Sequence, residues 1–195
     1  MEQEQNWLKT PIHPAMPSLT NEIAIFVIVI LLAIVTRFYD LESRVMSHDE
    51  SLHTYFSWLL YRGQVYEHSP MMHGPFQFHI VALTYFLFGA SDFTSRIPTA
   101  VFSIAIVAMV WYWRRYLGKW GALIAGFLLV ISPYMLYYGR YVRNESFVGF
   151  SGIVMLYVIL RHLETGGRKY LFLMAGALAL HYTSKETSFI YTAEA

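Results

Sequence analysis

Three short stretches of the 195-residue chain gather residue types capable of chemistry. The first is His48-Asp49-Glu50-Ser51, with His53 close behind and Arg37 and Arg44 upstream. A helix beginning near Ser47 would make Ser47-x-x-Glu50 a capping box, which accounts for Glu50 as a structural residue. It leaves Asp49 and the histidines unexplained. Five of the eight histidines (His48, His53, His68, His73 and His79) fall in this region. With Asp49, Glu50 and Glu67 they offer the oxygen and nitrogen donors that a divalent cation takes. The spacing fits no fixed zinc pattern, since there is no H-E-x-x-H and no cysteine. Imidazoles also suit the wet membrane interface, so a structural reading of each histidine stands beside the ligand one.

The second stretch is Arg140-Tyr141-Val142-Arg143-Asn144-Glu145-Ser146, between two apolar runs. Charges this close to hydrocarbon are costly and pair with one another or face water. Arg140 and Arg143 read either as snorkelling side chains, with Glu145 paired to one of them, or as phosphate clamps beside an acidic ligand. The third is Ser184-Lys185-Glu186-Thr187, which breaks an apolar run. Lys185 there is half of an ion pair or a cation reaching a lipid phosphate. Each stretch is weak alone; on one side of a membrane, together, they outline an acid-containing, anion-binding cavity.

The elements that must position these residues are membrane helices. Hydrophobic residues make up 56% of the chain and charged ones 14%, against about 25% charged in soluble domains. Mean hydropathy is +0.40. A spanning helix needs about 20 mostly apolar residues. Residues 21–39, 97–113, 118–138 and 147–160 qualify, and a fifth run from Tyr170 starts well before meeting Lys185 and Glu186. The expected fold is therefore all-α, a polytopic helical bundle of about five transmembrane helices. The run 76–88, bounded by Gly74-Pro75 and Gly89, has a length that favours an interfacial or re-entrant helix over a span, and it reads as a surface-lying helix in a first external loop, residues 40–96; as a span it would move that loop to the cytoplasm, away from Arg143 and Glu145. The first apolar run lacks a small-residue cleavage site, so it reads as an uncleaved anchor preceded by a cytoplasmic tail, residues 1–20.

The basic turns Arg114–Lys119 and Arg161–Lys169 favour the cytoplasm, which sends loop 40–96 and Glu145 to the other side. A net charge of +1 points to no nucleic-acid partner. The chain has no phosphate-cradling P-loop and no G-x-G-x-x-G, so no nucleotide cofactor is expected. A transporter fits less well, because the charges gather at one surface rather than the midplane.

In order, the acidic pair, His73-Gly74-Pro75-Phe76, Phe88-Gly89-Ala90-Ser91-Asp92-Phe93, Arg96-Ile97-Pro98-Thr99-Ala100-Val101-Phe102, Ile131-Ser132-Pro133, Tyr138-Gly139-Arg140 and Arg143-Asn144-Glu145 resemble the GT-C superfamily of polytopic glycosyltransferases. Within it they resemble the branch of protein mannosyltransferases and aminoarabinose-lipid transferases, from about Arg37 to Lys185. The resemblance implies transfer of a sugar from a polyprenyl-phosphate donor to an acceptor hydroxyl or lipid on the extracytoplasmic side. It implies Asp49 as the catalytic acid of the first loop, base or metal ligand, with Glu50 its neighbour and Glu145 the second-loop acid. Arg143, Lys185 and Arg140 fall where donor-phosphate contacts are expected. Asp49, Glu145, His48, His53 and His73 are the candidate ligands of a divalent ion. The expected partners are membrane lipids, the donor and other membrane subunits, and the expected location is a prokaryotic plasma membrane. Family enzymes run to several hundred residues, whereas this sequence stops at Ala195 within what reads as another helix. Two readings follow: the N-terminal part of such an enzyme, or a non-catalytic lipid-binding or structural subunit of a larger complex.

Overall fold

The computed structural model describes residues 7–13, 18–64, 67, 73–186 and 188–190. Its named elements are all helices: α1 (Asn21–Phe38), α2 (His48–Tyr61), α3 (Phe76–Phe88), α4 (Asp92–Ile131), α5 (Pro133–Tyr138), α6 (Glu145–Thr165) and α7 (Arg168–Ser184). Three of them, α1, α4 and α6, are long and apolar enough to cross a membrane. Large apolar side chains on α1 stand exposed, among them Ile28, Leu31 and Val35, as do Ile124, Phe127 and Leu128 of α4. Water would penalise that surface, whereas lipid tails solvate it.

The helix α1 starts where Thr20 accepts a hydrogen bond from the Ile23 N–H, with Glu22 in its first turn and Arg37 in its last, both signs favourable to the helix dipole. The 40-residue α4 is two helices in series. At Gly118 the backbone takes φ 71° and ψ 172°, open to a residue without Cβ. Val107 shares a cluster with Val130, and Val110 lies beside Gly126, so the two arms fold back antiparallel about Gly118. Two expected spans, 97–113 and 118–138, thus come from one hairpin. The second ends earlier than expected, because Ser132 turns to extended φ/ψ and Pro133 restarts the chain as the short α5. Val29 and Ala33 of α1 close the apolar core over both arms.

Charge marks the two ends of the bundle. At one, Glu22 takes Arg114 at 3.4 Å and Lys119, while Arg115 reaches Glu164 at 3.1 Å, so the two basic turns meet. At the other, buried Arg37 donates to Ser103 Oγ at 3.3 Å and to the carbonyls of Val130 and Leu129 at 3.0 and 2.8 Å. Those carbonyls belong to the last turn of α4, which has no intrahelical donors left for them. Gly139 passes so close to Ser103 that a Cβ would sit 2.5 Å from its Oγ.

The helix α3 stays at this second end. Its 13 residues reach roughly 20 Å against a hydrocarbon core of roughly 30 Å. Val81 and Tyr85 pack on Val142 of the loop before α6. Before α3, the Gly74 N–H donates to the Ser184 carbonyl at 3.1 Å, and a Cβ on Gly74 would run into the backbone of Thr183. The two backbones touch only because position 74 has no side chain. Gly74→Ala should therefore destabilise the chain by about 1–3 kcal/mol, read as a melting temperature lower by several degrees in detergent.

Candidate functional site

The capping box at the start of α2 forms as its sequence suggests, and it carries more than a cap. Glu50 accepts from the Ser47 N–H at 3.2 Å, and its own N–H reaches Ser47 Oγ at 3.4 Å. The carboxylate is wholly buried. Arg96, equally buried, donates to both its oxygens at 3.1 and 3.3 Å, and Arg44 donates to Oε2 at 2.8 Å. The Val142 N–H completes the set at 3.1 Å from Oε1. Arg96 also donates to the carbonyls of Leu41 and Arg44 at 2.8 and 3.0 Å. One carboxylate thus joins α2, α4, the loop after α1 and the loop before α6. Its acceptor sites are taken up by five donors from the chain.

Asp49, one residue earlier, faces outward and is 46% exposed. Its Oδ2 lies 3.0 Å from Arg143, while Arg143 Nε stands 3.6 Å from Glu145 Oε1, and Lys185 Nζ is 3.0 Å from that same oxygen. Acids and bases alternate along the row Asp49, Arg143, Glu145, Lys185. The tertiary fold assembles it from residues up to 136 positions apart. The second carboxylate oxygen of Glu145 is buried with no partner among the described residues, as are both amide atoms of Asn144 beside it.

Lys185 and Glu145 stand at the wall of a cavity of about 670 Å³ between α4, α5, α6 and α7. Its body is apolar, with Ile106, Met135, Ile153 and Leu156, and Tyr134 and Tyr138 also line it. His181, four residues before Lys185, adds a further polar group and is bonded through Nδ1 to Ser151 Oγ at 2.6 Å.

The histidines divide. His48 is exposed and 3.8 Å from Asp49 Oδ1. His79 donates to the Pro75 carbonyl at 2.8 Å from an exposed position. His73 takes the left-handed conformation at φ 67°, rare outside glycine, and its Nδ1 meets Glu186 at 2.9 Å. His53 is buried and stacks on His73 at 6.2 Å and on Phe78 at 5.6 Å. Its Nδ1 lies 2.7 Å from the Asp49 carbonyl, which can only accept, so the neutral ring carries its lone pair on Nε2, buried and without a partner among the described residues. His68 lies outside the described residues.

Among the described residues, no three His, Asp or Glu side chains gather closely enough to hold a metal ion. Of the acids expected as ligands, Asp49 lies 3.0 Å from Arg143 and Glu145 3.0 Å from Lys185. Arg140, an expected phosphate contact, turns toward α1 and donates to the carbonyls of Thr36 and Asp40 at 3.1 and 2.8 Å.

With that geometry in view, comparison with known families decides the lineage. The family described as dolichyl-phosphate-mannose-protein mannosyltransferase matches residues 72–195, well over half of the chain. The chain belongs to this mannosyltransferase family. Arg143, Glu145 and Lys185 fall inside the matched segment, while Asp49 and Glu50 precede it. No curated protein matches the chain significantly. Membership makes it a membrane protein of a mannosyltransferase-like glycosyltransferase family, and the helices suit that environment.

Arg96, Arg44 and His181 escaped the sequence reading as site residues. A signal existed for Arg96 and His181, because each is a polar group at or inside an apolar run, where only a partner makes it affordable.

Two outcomes follow for stability. Glu50→Gln places an amide against two guanidinium groups and should cost about 3–5 kcal/mol, whereas Asp49→Asn, half exposed, should cost under about 1 kcal/mol; thermal unfolding of both variants in detergent measures the difference. Burial holds the His53 ring below its usual pKa of 6.5, partly countered by its bond to the Asp49 backbone. The fold favours the neutral ring, so His53 contributes full stability above pH 6.5 and loses it as pH falls from there through the lowered folded-state value. The melting temperature should drop on acidification through that window, and by less in His53→Asn.

Proposed function

We propose that the chain carries the donor-binding and base-bearing part of a glycosyltransferase that uses a polyprenyl-phosphate sugar and works on the extracytoplasmic side of its membrane. The observation that carries this reading is the row Asp49–Arg143–Glu145–Lys185 ending at the wall of an apolar cavity. A lipid tail suits the cavity's aliphatic body, and a phosphate suits the cations. Lys185 contacts the phosphate from the cavity wall, and Arg143 approaches it from the side of Asp49. Glu145 keeps those two cations together in the absence of donor.

Asp49 is the base. Arg143 beside it orients the carboxylate, and its exposure leaves room for an acceptor hydroxyl. The acceptor oxygen forms a bond to the anomeric carbon as the bond from that carbon to the phosphate oxygen breaks. The hydroxyl proton passes to Asp49, and the polyprenyl phosphate leaves carrying the electron pair, inverting the anomeric centre. Lys185 and Arg143 stabilise the charge that grows on the leaving phosphate. Charge an ion would offer there is supplied in this reading by side chains of the chain. Glu50 acts through position alone: it holds α2 so that Asp49 meets Arg143.

The test is transfer from radiolabelled polyprenyl-phosphate mannose in membranes containing the full native protein. Asp49→Asn should lower turnover by about 10²–10⁴-fold with its melting temperature unchanged. Lys185→Met should lower it by about 10²-fold or more. Normal turnover in Asp49→Asn would remove the base assignment, and transfer unaffected by Lys185→Met would remove the donor site.

A further inference from the structure

At the end of the bundle opposite Asp49, two cavities meet. One, of about 490 Å³, is lined by Arg114, Arg115 and Lys119 against the single acid Glu22. The other, also about 490 Å³, lies between α4, α6 and α7 and is almost wholly apolar, with Met109, Val154, Phe172 and Gly176 in its wall. Tyr112 and Tyr157 line both, so the cavities adjoin at that tyrosine pair, whose rings are 5.9 Å apart. The apolar part follows α7 from Phe172 to Leu180, roughly 12 Å along the helix axis.

We propose that this joined groove binds a phospholipid with an anionic headgroup, phosphate among the three cations and one acyl chain along α6 and α7. Charge complementarity selects that occupant. Glu22 is buried and divided between Arg114 and Lys119, so one carboxylate faces two cations. Arg115 is bound through Nε to Glu164, an acid that also serves Arg161. The lining therefore has three positive groups to one negative, an excess that a phosphate neutralises. Arg114 lies 3.8 Å over the Trp111 ring, which holds its guanidinium at the cavity wall. Trp111 and the two tyrosines are the aromatic types that settle at headgroup depth. The chain-shaped apolar space begins where the charges end, which a free anion would not require. This site is separate from the cavity at Lys185 and does not rest on the glycosyl-transfer reading.

The experiment is native mass spectrometry of the purified full protein in detergent, titrated with phosphatidylglycerol and with phosphatidylcholine of identical acyl chains. The wild type should retain phosphatidylglycerol at least about fivefold better, the equivalent of one cation at a membrane surface. Arg115→Gln should lower phosphatidylglycerol retention by about the same factor and leave phosphatidylcholine unchanged. Gly176→Leu fills the groove and should reduce retention of both lipids; a Cβ there meets nothing within 4 Å, so the helix accommodates it. Circular dichroism and melting without lipid establish that both variants fold. Equal retention of the two lipids by the wild type overturns the proposal. So does unchanged binding in Gly176→Leu, which would mean that another copy or segment covers the apolar part. Displacement of the lipid by glycerophosphate at equal concentration would reveal a free-anion site and likewise overturn it.

Discussion

The buried bidentate pair between Glu50 and Arg96 is the contact on which the arrangement of this end of the molecule depends. Both side chains are fully removed from solvent. Two charges in such a place are tolerable only when their polar atoms are hydrogen-bonded. That condition is met by drawing in Arg44, the Ser47 and Val142 N–H groups and the carbonyls of Leu41 and Arg44. Satisfying one buried carboxylate thereby fixes the loop after α1, the start of α2, the first turn of α4 and the loop into α6. A hydrophobic pair of the same volume would pack there, but it would not set the register of four backbone segments.

Asp49 owes its place to that arrangement. Adjacent residues on a helix point about 100° apart, so burying Glu50 among arginines leaves Asp49 facing outward, where Arg143 arrives from the loop that Val142 anchors. The two acids thus differ by environment: Glu50 is buried and saturated, Asp49 accessible and paired with Arg143. The row continues through Glu145 to Lys185, whose position depends on the backbone contact between Gly74 and the end of α7. A close approach of main chains is a stiff constraint, because neither partner can move aside as a side chain can.

The two ends of the bundle use charge differently. Near Asp49, acids and bases alternate, and several polar atoms, among them Glu145 Oε2 and His53 Nε2, are buried without partners among the described residues. Such groups cost about 1–3 kcal/mol each, and they concentrate where a ligand or acceptor would complete them. At the far end, positive groups outnumber acids around Glu22, which suits a membrane surface more than a reaction. The glycosyl transfer proposed above is assigned to the first end.

The all-helical architecture and its suitability for a membrane were readable from the sequence, because hydropathy over some twenty residues is a local property and lipid leaves the backbone few alternatives. The expected five spans were not all readable, since three named helices are long and apolar enough to cross. The Ser47–Glu50 cap, the short α3 and the breaks at Gly118 and Pro133 are local too, written in residues that dictate their own φ/ψ. Family motifs named Arg143, Glu145 and Lys185 as residues of interest before any coordinates. What only the tertiary structure decided is which charge meets which. Glu50 takes Arg96 from 46 positions away and Val142 from 92, Arg140 caps α1 instead of joining Arg143, and His53 stacks on His73. Partner choice among many charges in a low-dielectric setting depends on distances of a few ångströms, and those arise from packing between helices, which no local pattern encodes.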